Sequence, residues 1–566
     1  MEYNKPWFKY YPPEIPKSIV YDEKTLHQYL LEAGEKYSEK KALYFMGKSM
    51  TYEELLSEAK KMANFFQEKG LKKGDRVAVM LPNTPQGVIA YYGALIAGGI
   101  VVQVNPLYTE RELSYQLKDA GATFIVCLDI LVPRVSAVRE EIGLKHVIVT
   151  RIADYLPFPK NVAYPFIQKK QYNMVVKVVE TSDTHLWKNI IASGSEDYQV
   201  VDIDPNEDLA LLQYTGGTTG KPKGVMLTHT NLVSNGQMVQ KWMYQLEDAN
   251  EVVLAALPFF HVYGMTTVMN LSIMSGYKMI LLPKFDAEET LKTIQKMKPT
   301  VFPGAPTMYI GLLNHPKINK YDLSSIKACI SGSASLPVDV QTNFERVTGG
   351  RLVEGYGLTE SSPVTHANLV WDERVNGSIG LPWPDTDVKI FKKGTLEEVP
   401  VGEVGEIAVK GPQVMKGYWN LEEETNKTLK DGWLLTGDVG RMDEEGYFYV
   451  VDRKSDMIIA GGFNIYPREV EEVLFEHDGI QEAAIIGIPD DYRGETVKAY
   501  IVPKEGVTLD KKQLDRYCRK NLAAYKIPRI YEFREELPKT VIGKVLKRDL
   551  LEESIEEMNQ TKQAAN

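Results

Sequence analysis

The chain of 566 residues is predicted to be an α/β protein with a large N-terminal domain of α/β sheets, a β-rich subdomain and a small C-terminal α+β domain. Strand and helix patterns alternate through the first part of the chain, which is typical of parallel sheets covered by helices. From about residue 379, short strands bounded by glycines follow one another. Beyond residue 456, a compact unit combines two strands with two helices.

The first elements carry clear local signals. A helix is predicted over 51–69 because Thr51 opens the segment, Glu53 and Glu54 fall in its first turn, and apolar residues recur at helical spacing. The segments that follow predict a strand at 76–81, a buried helix at 86–97 and a second strand at 100–104.

The later elements set the predicted domain boundaries. Strands are predicted at 387–391, 405–410 and 446–451, a helix beginning at Pro467, strands at 483–488 and 497–502, and a helix at 510–522. We therefore expect an N-terminal domain over 1–451, including the β-rich subdomain at about 379–451, and a C-terminal domain over 457–566. The polar run 452–456 is expected to join them, and the polar last dozen residues are expected to fray.

The composition is that of a globular protein in a reducing compartment. Apolar residues make up 44% of the chain, charged residues make up 25%, and the net charge of −10 gives no reason to expect nucleic acid. Three separated cysteines without a CxxC pair argue against a disulfide framework or a zinc ribbon. The longest apolar stretch, 87–102, contains four glycines and is too short to span a membrane, and no signal-peptide pattern opens the chain. We therefore expect a cytoplasmic protein.

The most informative segment is a loop rich in glycine and threonine, YTGGTTGKPKGV at 214–225. It lies between two strand-like runs. Glycines let backbone N–H groups approach an anion, while threonine hydroxyls and lysine ammoniums add donors and charge. Because Pro222 and a strand follow Lys221, the loop is not a Walker A loop. It is predicted to be a strand–loop–strand element that folds over a triphosphate.

This loop closely resembles the phosphate-binding signature of the adenylate-forming enzymes, a superfamily that includes acyl-CoA synthetases, luciferases and peptide-synthetase adenylation domains. The wider superfamily usually has serine where this chain has Gly217, and the Gly-Gly form looks like that of bacterial long-chain fatty acid–CoA ligases. Further segments resemble motifs of the superfamily in the expected order, at 256–265, 331–335, 354–362, 431–440, 460–467 and 537–550. The resemblance covers nearly the whole chain and implies the adenylate-forming enzyme fold.

The resemblance also implies sites for ATP and CoA. It places Tyr356 on the adenine, Asp438 on both ribose hydroxyls, and Arg453 toward the ribose or the phosphates. A carboxylate has two acceptor oxygens, which suits a vicinal diol. The residues implied to bind ATP or the pantetheine of CoA are Thr215, Gly216, Gly217, Thr218, Thr219, Gly220, Lys223, Gly332, Glu354, Gly355, Tyr356, Gly357, Thr359, Asp438, Arg453, Gly461 and Gly462.

Four residues are implied to carry the chemistry. Lys544 is implied to be the catalytic lysine at the α-phosphate and the carboxylate, and His261 is implied to orient the carboxylate. Glu360 and Thr215 are implied to act in catalysis as the ligands of Mg²⁺. That ion prefers a few protein oxygens combined with phosphate oxygens.

The implied reaction runs in two halves. Attack of a fatty acid on the α-phosphorus of ATP gives an acyl-adenylate and pyrophosphate, and the thiol of CoA then displaces AMP. Between the halves the C-terminal domain is implied to rotate at the hinge 452–456, which withdraws Lys544 and brings Gly461 and Gly462 to the pantetheine. Ser455 stands where relatives usually have lysine or aspartate, so it is not singled out as essential.

Two alternatives to a long-chain fatty acid–CoA ligase stay open: a CoA ligase for a medium-chain or aryl acid, and a non-catalytic nucleotide- or acyl-binding protein. The intact Lys544, Glu360 and glycine loop argue against the second. Segment 256–265 offers no acid for a substrate ammonium, which argues against amino-acid activation.

The expected partners are fatty acid, ATP and CoA, without nucleic acid, and the protein is expected to be a monomer or homodimer. Segment 162–179 mixes lysines with apolar residues. It could make peripheral contact with the inner face of the membrane, or it could form an ordinary domain surface.

Overall fold

The computed structural model of the chain describes residues 5–172, 174, 176–215, 222–392, 394–453, 456–460, 463–490, 494–522, 524, 526–540 and 543–565. The strands are β1 Lys41–Phe45, β2 Lys48–Thr51, β3 Arg76–Met80, β4 Ile100–Gln103, β5 Ala122–Leu128, β6 His146–Thr150, β7 Thr184–Leu186, β8 Leu209–Thr215, β9 Lys223–Thr228, β10 Val252–Ala255, β11 Lys278–Leu281, β12 Ala328–Ser331, β13 Arg351–Gly357, β14 Val364–Ala367, β15 Leu381–Pro382, β16 Asp387–Phe391, β17 Gly405–Lys410, β18 Gly417–Tyr418, β19 Leu429–Lys430, β20 Trp433–Met442, β21 Phe448–Arg453, β22 Ile458–Ala460, β23 Phe463–Ile465, β24 Ile480–Asp490, β25 Gly494–Pro503 and β26 Ile530–Phe533.

Helices cover these sheets. They are α1 Leu26–Lys36, α2 Tyr52–Glu68, α3 Pro85–Ile96, α4 Glu110–Ala120, α5 Val132–Ile142, α6 Lys160–Tyr172, α7 Trp187–Ser193, α8 His229–Trp242, α9 Val262–Gly264, α10 Leu271–Ser275, α11 Ala287–Met297, α12 Pro306–Leu313, α13 Val338–Thr348, α14 Glu422–Thr428, α15 Pro467–Phe475, α16 Lys511–Asn521 and α17 Lys547–Ala565. A π-helix, Met265–Asn270, joins α9 to α10. In the part of the chain that the structure describes, no helix is long and apolar enough to cross a bilayer.

The predicted α/β class is confirmed by the largest sheet, whose strand order is β18-β9-β8-β4-β3-β5-β6-β7. The strands from β8 to β7 run parallel, so their carboxyl ends share one edge. β9 pairs antiparallel with β8, which confirms the predicted strand–loop–strand element. Two four-stranded sheets, β10-β11-β1-β2 and β12-β13-β14-β15, complete the α/β part.

Local signals placed several elements well. The helix predicted at 51–69 is α2, and its capping box is formed: the Glu54 amide donates to Thr51 Oγ1 at 3.1 Å and the Thr51 amide donates to Glu54 Oε2 at 2.7 Å. The predicted helix at 510–522 is α16, with Asp510 at its N-cap. Both helix starts depend on residues three apart, which is why the sequence alone locates them.

A β-rich subdomain and a separate C-terminal unit follow, as predicted. β16, β17, β19, β20 and β21 form an antiparallel sheet. The C-terminal sheet alternates its side chains between two apolar clusters: Ile485 packs on one face with α15 and α16, and Ala484 and Ile486 pack on the other with Leu550 of α17. These clusters are distinct from the large core that runs from Trp7 to Phe448.

The expectation that the chain end frays is wrong, since α17 is helical from Lys547 to Ala565. Its first turns, which precede the last dozen residues, bury Leu550 fully and Ser554 almost fully against the C-terminal sheet, and Met558 of the last dozen packs against the same apolar cluster. Tyr500 donates a hydrogen bond to the Leu550 carbonyl at 3.0 Å. This packing overrides a polar composition that by itself favours disorder.

Candidate active site

A cavity of about 930 Å³ opens at the carboxyl edge of the parallel strands. Gln103 ends β4 and Thr215 ends β8, and both lie in its wall. From the C-terminal part of the chain, Lys539, Thr540 and Lys544 close the opposite side. The structure thus brings together ten predicted site residues in one cavity wall: Thr215, Lys223, His261, Gly332, Gly355, Tyr356, Gly357, Thr359, Glu360 and Lys544.

The strands that hold the phosphate loop are described, whereas the loop itself is not. Thr215 pairs with Lys223 across the β8–β9 ladder. The Tyr214 ring lies against Gly224, where a Cβ would come within 3.1 Å of the ring, and its hydroxyl donates to Asp119 Oδ2 at 2.6 Å. These contacts fix both stems of the hairpin. Five of the predicted ligands lie outside the described residues: Gly216, Gly217, Thr218, Thr219 and Gly220.

Lys223 is held by an acidic partner at the cavity. Its ammonium lies 2.7 Å from Glu424 Oε2 and 5.0 Å from the centre of the Tyr418 ring. Hydrogen bonds from Lys223 and Lys427 lower the pKa of Glu424 to about 2. The predicted phosphate ligand therefore lies at the cavity while paired with a carboxylate that stays ionised.

Glu360 is oriented by a tyrosine from a distant strand. The Tyr418 hydroxyl donates to Glu360 Oε1 at 2.7 Å, and burial together with the Glu360 charge raises the tyrosine pKa well above its ordinary value. Glu360 and Thr215 offer oxygen donors to the same cavity. Among the described residues no three acidic, histidine or cysteine side chains cluster as a metal site. A Mg²⁺ ion held here would therefore depend on phosphate oxygens, which is the coordination it favours.

The predicted adenine and ribose residues meet through a hydrogen bond. Tyr356 of β13 donates to Asp438 Oδ2 of β20 at 2.6 Å. Asp438 is buried, and its amide donates to Thr436 Oγ1 at 3.1 Å. Arg453 pairs with Asp438 in the backbone ladder of β20 and β21, and its side chain lies outside the described residues. The tyrosine holds the carboxylate in one orientation beside the cavity.

Close backbone approach explains two of the predicted glycines. A Cβ at Gly357 would lie 2.0 Å from the Pro363 carbonyl oxygen, and one at Gly332 would lie 3.0 Å from the Tyr263 ring. The Tyr263 hydroxyl donates to the Ile330 carbonyl at 2.7 Å, which fixes that ring beneath the turn. Side chains at these positions would push the cavity walls apart.

Glu354 lies directly before the cavity-lining Gly355 and is buried. Its Oε2 accepts a hydrogen bond from the Leu336 amide at 3.3 Å, and its Oε1 lies 3.8 Å from Nη2 of Arg468 in α15. Burial raises the pKa of Glu354 to about 7, although Arg468 and the Leu336 amide act to lower it. A carboxyl group that titrates near neutral pH thus lies behind the nucleotide wall.

His261 and Lys544 come together across the cavity. Burial and, to a smaller extent, the positive charge of Lys544 lower the pKa of His261 to about 4. The Tyr263 amide donates to His261 Nδ1 at 3.3 Å, so this nitrogen is the acceptor and the neutral ring presents its other nitrogen as a donor. Gly543, at φ +80°, brings the segment before Lys544 so close to α12 that a Cβ would lie 2.0 Å from Thr307 Oγ1.

Some of the residues predicted to serve CoA and the hinge are not among those that the structure describes. Gly461 and Gly462, predicted to line the pantetheine tunnel, are not among the described residues, and neither is Ser455 of the predicted hinge. The structure therefore brings ten of the predicted site residues into one cavity, and the roles of all of them, together with those of the CoA tunnel, stay predictions.

Sequence reasoning missed two residues of the site. Gln213, at 3% exposure, donates from Nε2 to the Phe260 carbonyl at 3.0 Å, and its buried Oε1 at the cavity has no hydrogen-bond partner among the residues that the structure describes. The signal was available, because a glutamine in the apolar run 209–213 is unusual. Tyr418 was also missed, since nothing near it in sequence indicates Glu360 as its partner.

Comparisons with known proteins identify the family of the chain. Family models described as AMP-binding enzyme and AMP-binding enzyme C-terminal domain match residues 30–419 and 469–544. A long-chain-fatty-acid–CoA ligase of Bacillus subtilis (strain 168) is 56% identical over 98% of this chain and 99% of its own length.

Solved structures of one relative share the fold of this chain. ATP-bound MatB from Rhodopseudomonas palustris is 31% identical, with a TM-score of 0.82 over 94% of this chain and 99% of its own. The apo form of the same enzyme gives a TM-score of 0.73 over 93% and 98%. The chain therefore superposes more closely on the ATP-bound structure than on the apo structure.

Proposed function

The chain belongs to the family of AMP-binding enzymes, and from this membership we infer that it is an acid–thiol ligase that joins a long-chain fatty acid to CoA with conversion of ATP to AMP and diphosphate. The Bacillus subtilis relative supports the substrate class. The observation that carries the inference is the meeting of Lys544, His261 and Thr215 in one cavity. That cavity can hold a nucleotide phosphate beside a carboxylate.

In the first half-reaction, a carboxylate oxygen of the fatty acid attacks the α-phosphorus, and the bond to pyrophosphate breaks. The neutral His261 can donate to the carboxylate without adding a positive charge that would trap it. The Lys544 ammonium stabilises the negative charge that grows on the phosphorus oxygens. Thr215 and Glu360 are the residues that would hold Mg²⁺, which supplies further neutralisation at the phosphates.

In the second half-reaction, the thiol sulfur of CoA attacks the acyl carbon, the thiol proton is lost, and AMP leaves with the bonding electrons. Lys544 lines the cavity in the described arrangement. A rotation of the C-terminal domain, 457–566, about 452–456 would withdraw it and bring Gly461 and Gly462 to the pantetheine. The separate apolar clusters on either side of this segment support such a rotation.

The test separates the two halves. With palmitate and Mg²⁺, the enzyme is expected to exchange pyrophosphate into ATP, and Lys544→Ala is expected to lose roughly 100-fold or more of this activity. The same variant should still transfer palmitate from preformed palmitoyl-AMP to CoA. Lys547→Ala, which removes a lysine that pairs with Glu471 at 2.8 Å instead of lining the cavity, is the control.

The rates of pyrophosphate exchange with acids of different chain length and shape identify the substrate class. Exchange that is fastest with palmitate supports the long-chain assignment, whereas a preference for octanoate or benzoate would replace it with a medium-chain or aryl acid. Absence of exchange with every acid would leave a non-catalytic nucleotide-binding protein.

We further propose peripheral contact with an anionic membrane surface through α6. In this helix a polar side chain is buried and apolar side chains face outward. Gln168 is buried and donates to Asp129 Oδ2 at 3.1 Å, while Phe166 is 75% and Val162 is 60% exposed. Asp129 follows β5, so α6 lies at the sheet edge where the cavity opens. Residues 156–179 contain four lysines and no acid in a chain of net charge −10. This combination suits anionic lipid.

Vesicle sedimentation tests this contact. Phe166→Ser and the pair Lys169→Glu with Lys170→Glu are expected to weaken binding to phosphatidylglycerol vesicles roughly tenfold. Val200→Ser removes an apolar side chain of 86% exposure elsewhere and should have no effect. If the α6 variants change the oligomeric state and leave vesicle binding intact, the face is a protein interface.

A further inference from the structure

An ion pair joins the C-terminal domain to the wall of the nucleotide cavity. Nη2 of Arg468 lies 3.8 Å from Oε1 of Glu354, with side-chain exposures of 14% and 8%. Arg468 belongs to the first turn of α15, directly after the segment 460–467 that is predicted to serve CoA. Its guanidinium also binds Glu472 of the same helix, at 3.0 Å. The residue that directly follows the predicted CoA segment 460–467 thus contacts the wall of the predicted adenine site in this arrangement.

Glu354 connects two walls of the cavity. Its carboxylate accepts the Leu336 amide at 3.3 Å, at the end of the turn that carries the cavity residues Gly332 and Ser333. Its own strand, β13, continues into Gly355, which also lines the cavity. A change in the charge or position of Glu354 is therefore expected to alter the positions of both the 332–333 turn and Gly355, which line the predicted adenine site.

A buried carboxylate needs a cation to stay charged. Burial favours the protonated form of Glu354, and Arg468 is the first contribution that opposes it. The charged groups that act on Glu354 are Arg468 and Glu472, both of α15, together with the dipole of the Leu336 amide. A rotation of the C-terminal domain carries α15, and hence this cation, away from the nucleotide wall.

We propose that Arg468 is a positioning residue for the adenylating half of the proposed reaction: it pairs with Glu354 when the C-terminal domain packs as described here, and it thereby stabilises that arrangement together with the nucleotide wall. Removal of a single partner leaves a buried charge without compensation, which disfavours the arrangement that buried it. Transfer to CoA, which follows rotation, does not use the pair. This proposal rests on the proposed function and assigns a residue within it.

Half-reactions of the full-length enzyme test the proposal. Arg468→Gln is expected to lower palmitate-dependent pyrophosphate exchange roughly tenfold and to leave transfer from palmitoyl-AMP to CoA unchanged. Arg468→Lys should recover part of the exchange. Two controls break other contacts: Glu472→Gln removes the partner within α15, and Arg519→Gln removes an i,i+4 pair with Asp515 in α16. Neither control should lower the rate in either assay, because Glu472 opposes the charge on Glu354 that Arg468 stabilises and Arg519 acts within α16 alone.

Two further measurements separate positioning from folding. In a Glu354→Gln background, where there is no buried charge to pair, Arg468→Gln should have no additional effect on exchange. Because loss of the cation raises the pKa of Glu354 further above its ordinary value, ionisation of this carboxyl in Arg468→Gln creates a buried charge without a partner, so exchange by the variant relative to wild type should fall further as the pH is raised from 7 to 9.

Several outcomes would overturn the assignment. Equal loss in both half-reactions by Arg468→Gln, an equal effect of Glu472→Gln, or full additivity with Glu354→Gln would each show that the arginine acts only within its own domain. If the wild-type enzyme shows no exchange with palmitate, the proposed function fails, whereas a normal wild type with an unaffected Arg468→Gln variant refutes only the positioning role.

Discussion

At the scale of single residues, tyrosines orient the carboxylates of the site before any ligand arrives. Tyr356 binds Asp438 and Tyr418 binds Glu360, with O–H···O distances of 2.6 and 2.7 Å. Short hydrogen bonds to a charged acceptor are stronger than neutral ones. Each carboxylate therefore has one oxygen fixed by a tyrosine, which orients the whole group at the cavity. Such preorganisation lowers the cost of binding a diol or a cation.

Removal of the Tyr356 hydroxyl is expected to weaken nucleotide binding more than the chemistry. In Tyr356→Phe, Asp438 loses the donor that orients it, so the KM for ATP should rise about three- to tenfold, in keeping with one hydrogen bond to a charged group. The preference for ATP over 2′-deoxy-ATP should shrink, because the proposed diol contact loses its geometry. Steady-state kinetics with both nucleotides measures this.

The matched control is Tyr449→Phe, which removes a similar tyrosine–aspartate bond, to Asp443 Oδ2 at 2.9 Å, on the next strand and outside the cavity wall. It should leave both nucleotides unaffected. An unchanged ratio of ATP to 2′-deoxy-ATP in Tyr356→Phe would argue against Asp438 as the ribose ligand.

At the scale of elements, a tight turn holds the proposed catalytic lysine. The Thr540 amide donates to the Lys544 carbonyl at 2.7 Å, and the Lys544 amide donates to Thr540 Oγ1 at 3.1 Å. Gly543 combines a left-handed backbone with close contact to Thr307 of α12. The turn therefore fits the N-terminal domain only where residue 543 lacks a side chain.

Gly543→Ala is expected to disfavour this docking and to lower pyrophosphate exchange by about tenfold or more, as overpacking of a tight contact does. Gly506→Ala is the control: its φ of +76° matches the +80° of Gly543, but no atom of the described part of the chain lies within 4 Å of a Cβ there. Both variants share the backbone strain, so the difference between their exchange rates reports the clash. Equal rates would mean that the turn does not dock during adenylation.

At the scale of the whole molecule, buried histidines connect stability to pH. Burial lowers the pKa of His229 and of His366 to about 3, and both are at most 1% exposed. An unfolded histidine titrates near pH 6.5. The unfolded chain therefore binds more protons as the pH falls below about 6.5, and the stability that these neutral rings contribute is lost progressively toward pH 3.

Each ring is expected to remove about 1.4 kcal/mol of unfolding free energy per pH unit below pH 6. Urea unfolding at pH 6.5, 5.5 and 4.5 measures the slope. His366→Gln should be less stable at pH 6.5 but should show a shallower decline with acid. His315→Gln replaces a partly exposed ring and is the control for the substitution itself. A His366→Gln slope equal to that of wild type would contradict this explanation.

The sequence by itself determined what depends on neighbours in the chain. The capping box of Thr51 and Glu54, the strand at 387–391 and the two strands around the phosphate loop follow from residues a few positions apart. Motif order was sufficient to predict a fold of two domains around one nucleotide. The prediction that the polar chain end frays was wrong because the few apolar side chains of α17 stabilise the helix by packing against a sheet that is distant in sequence.

Only the tertiary structure decided which side chains meet. Tyr356 and Asp438 are 82 residues apart, Tyr418 and Glu360 are 58 apart, and Arg468 reaches Glu354 from another domain. Pairs of this kind cannot be recognised from periodicity or from neighbouring residues in the sequence, because they form when separate sheets and domains pack. The free energy of burial, together with the requirement that buried polar groups find partners, selects them. The residue types of the proposed site could be predicted from the sequence, whereas the contacts between them depend on tertiary packing.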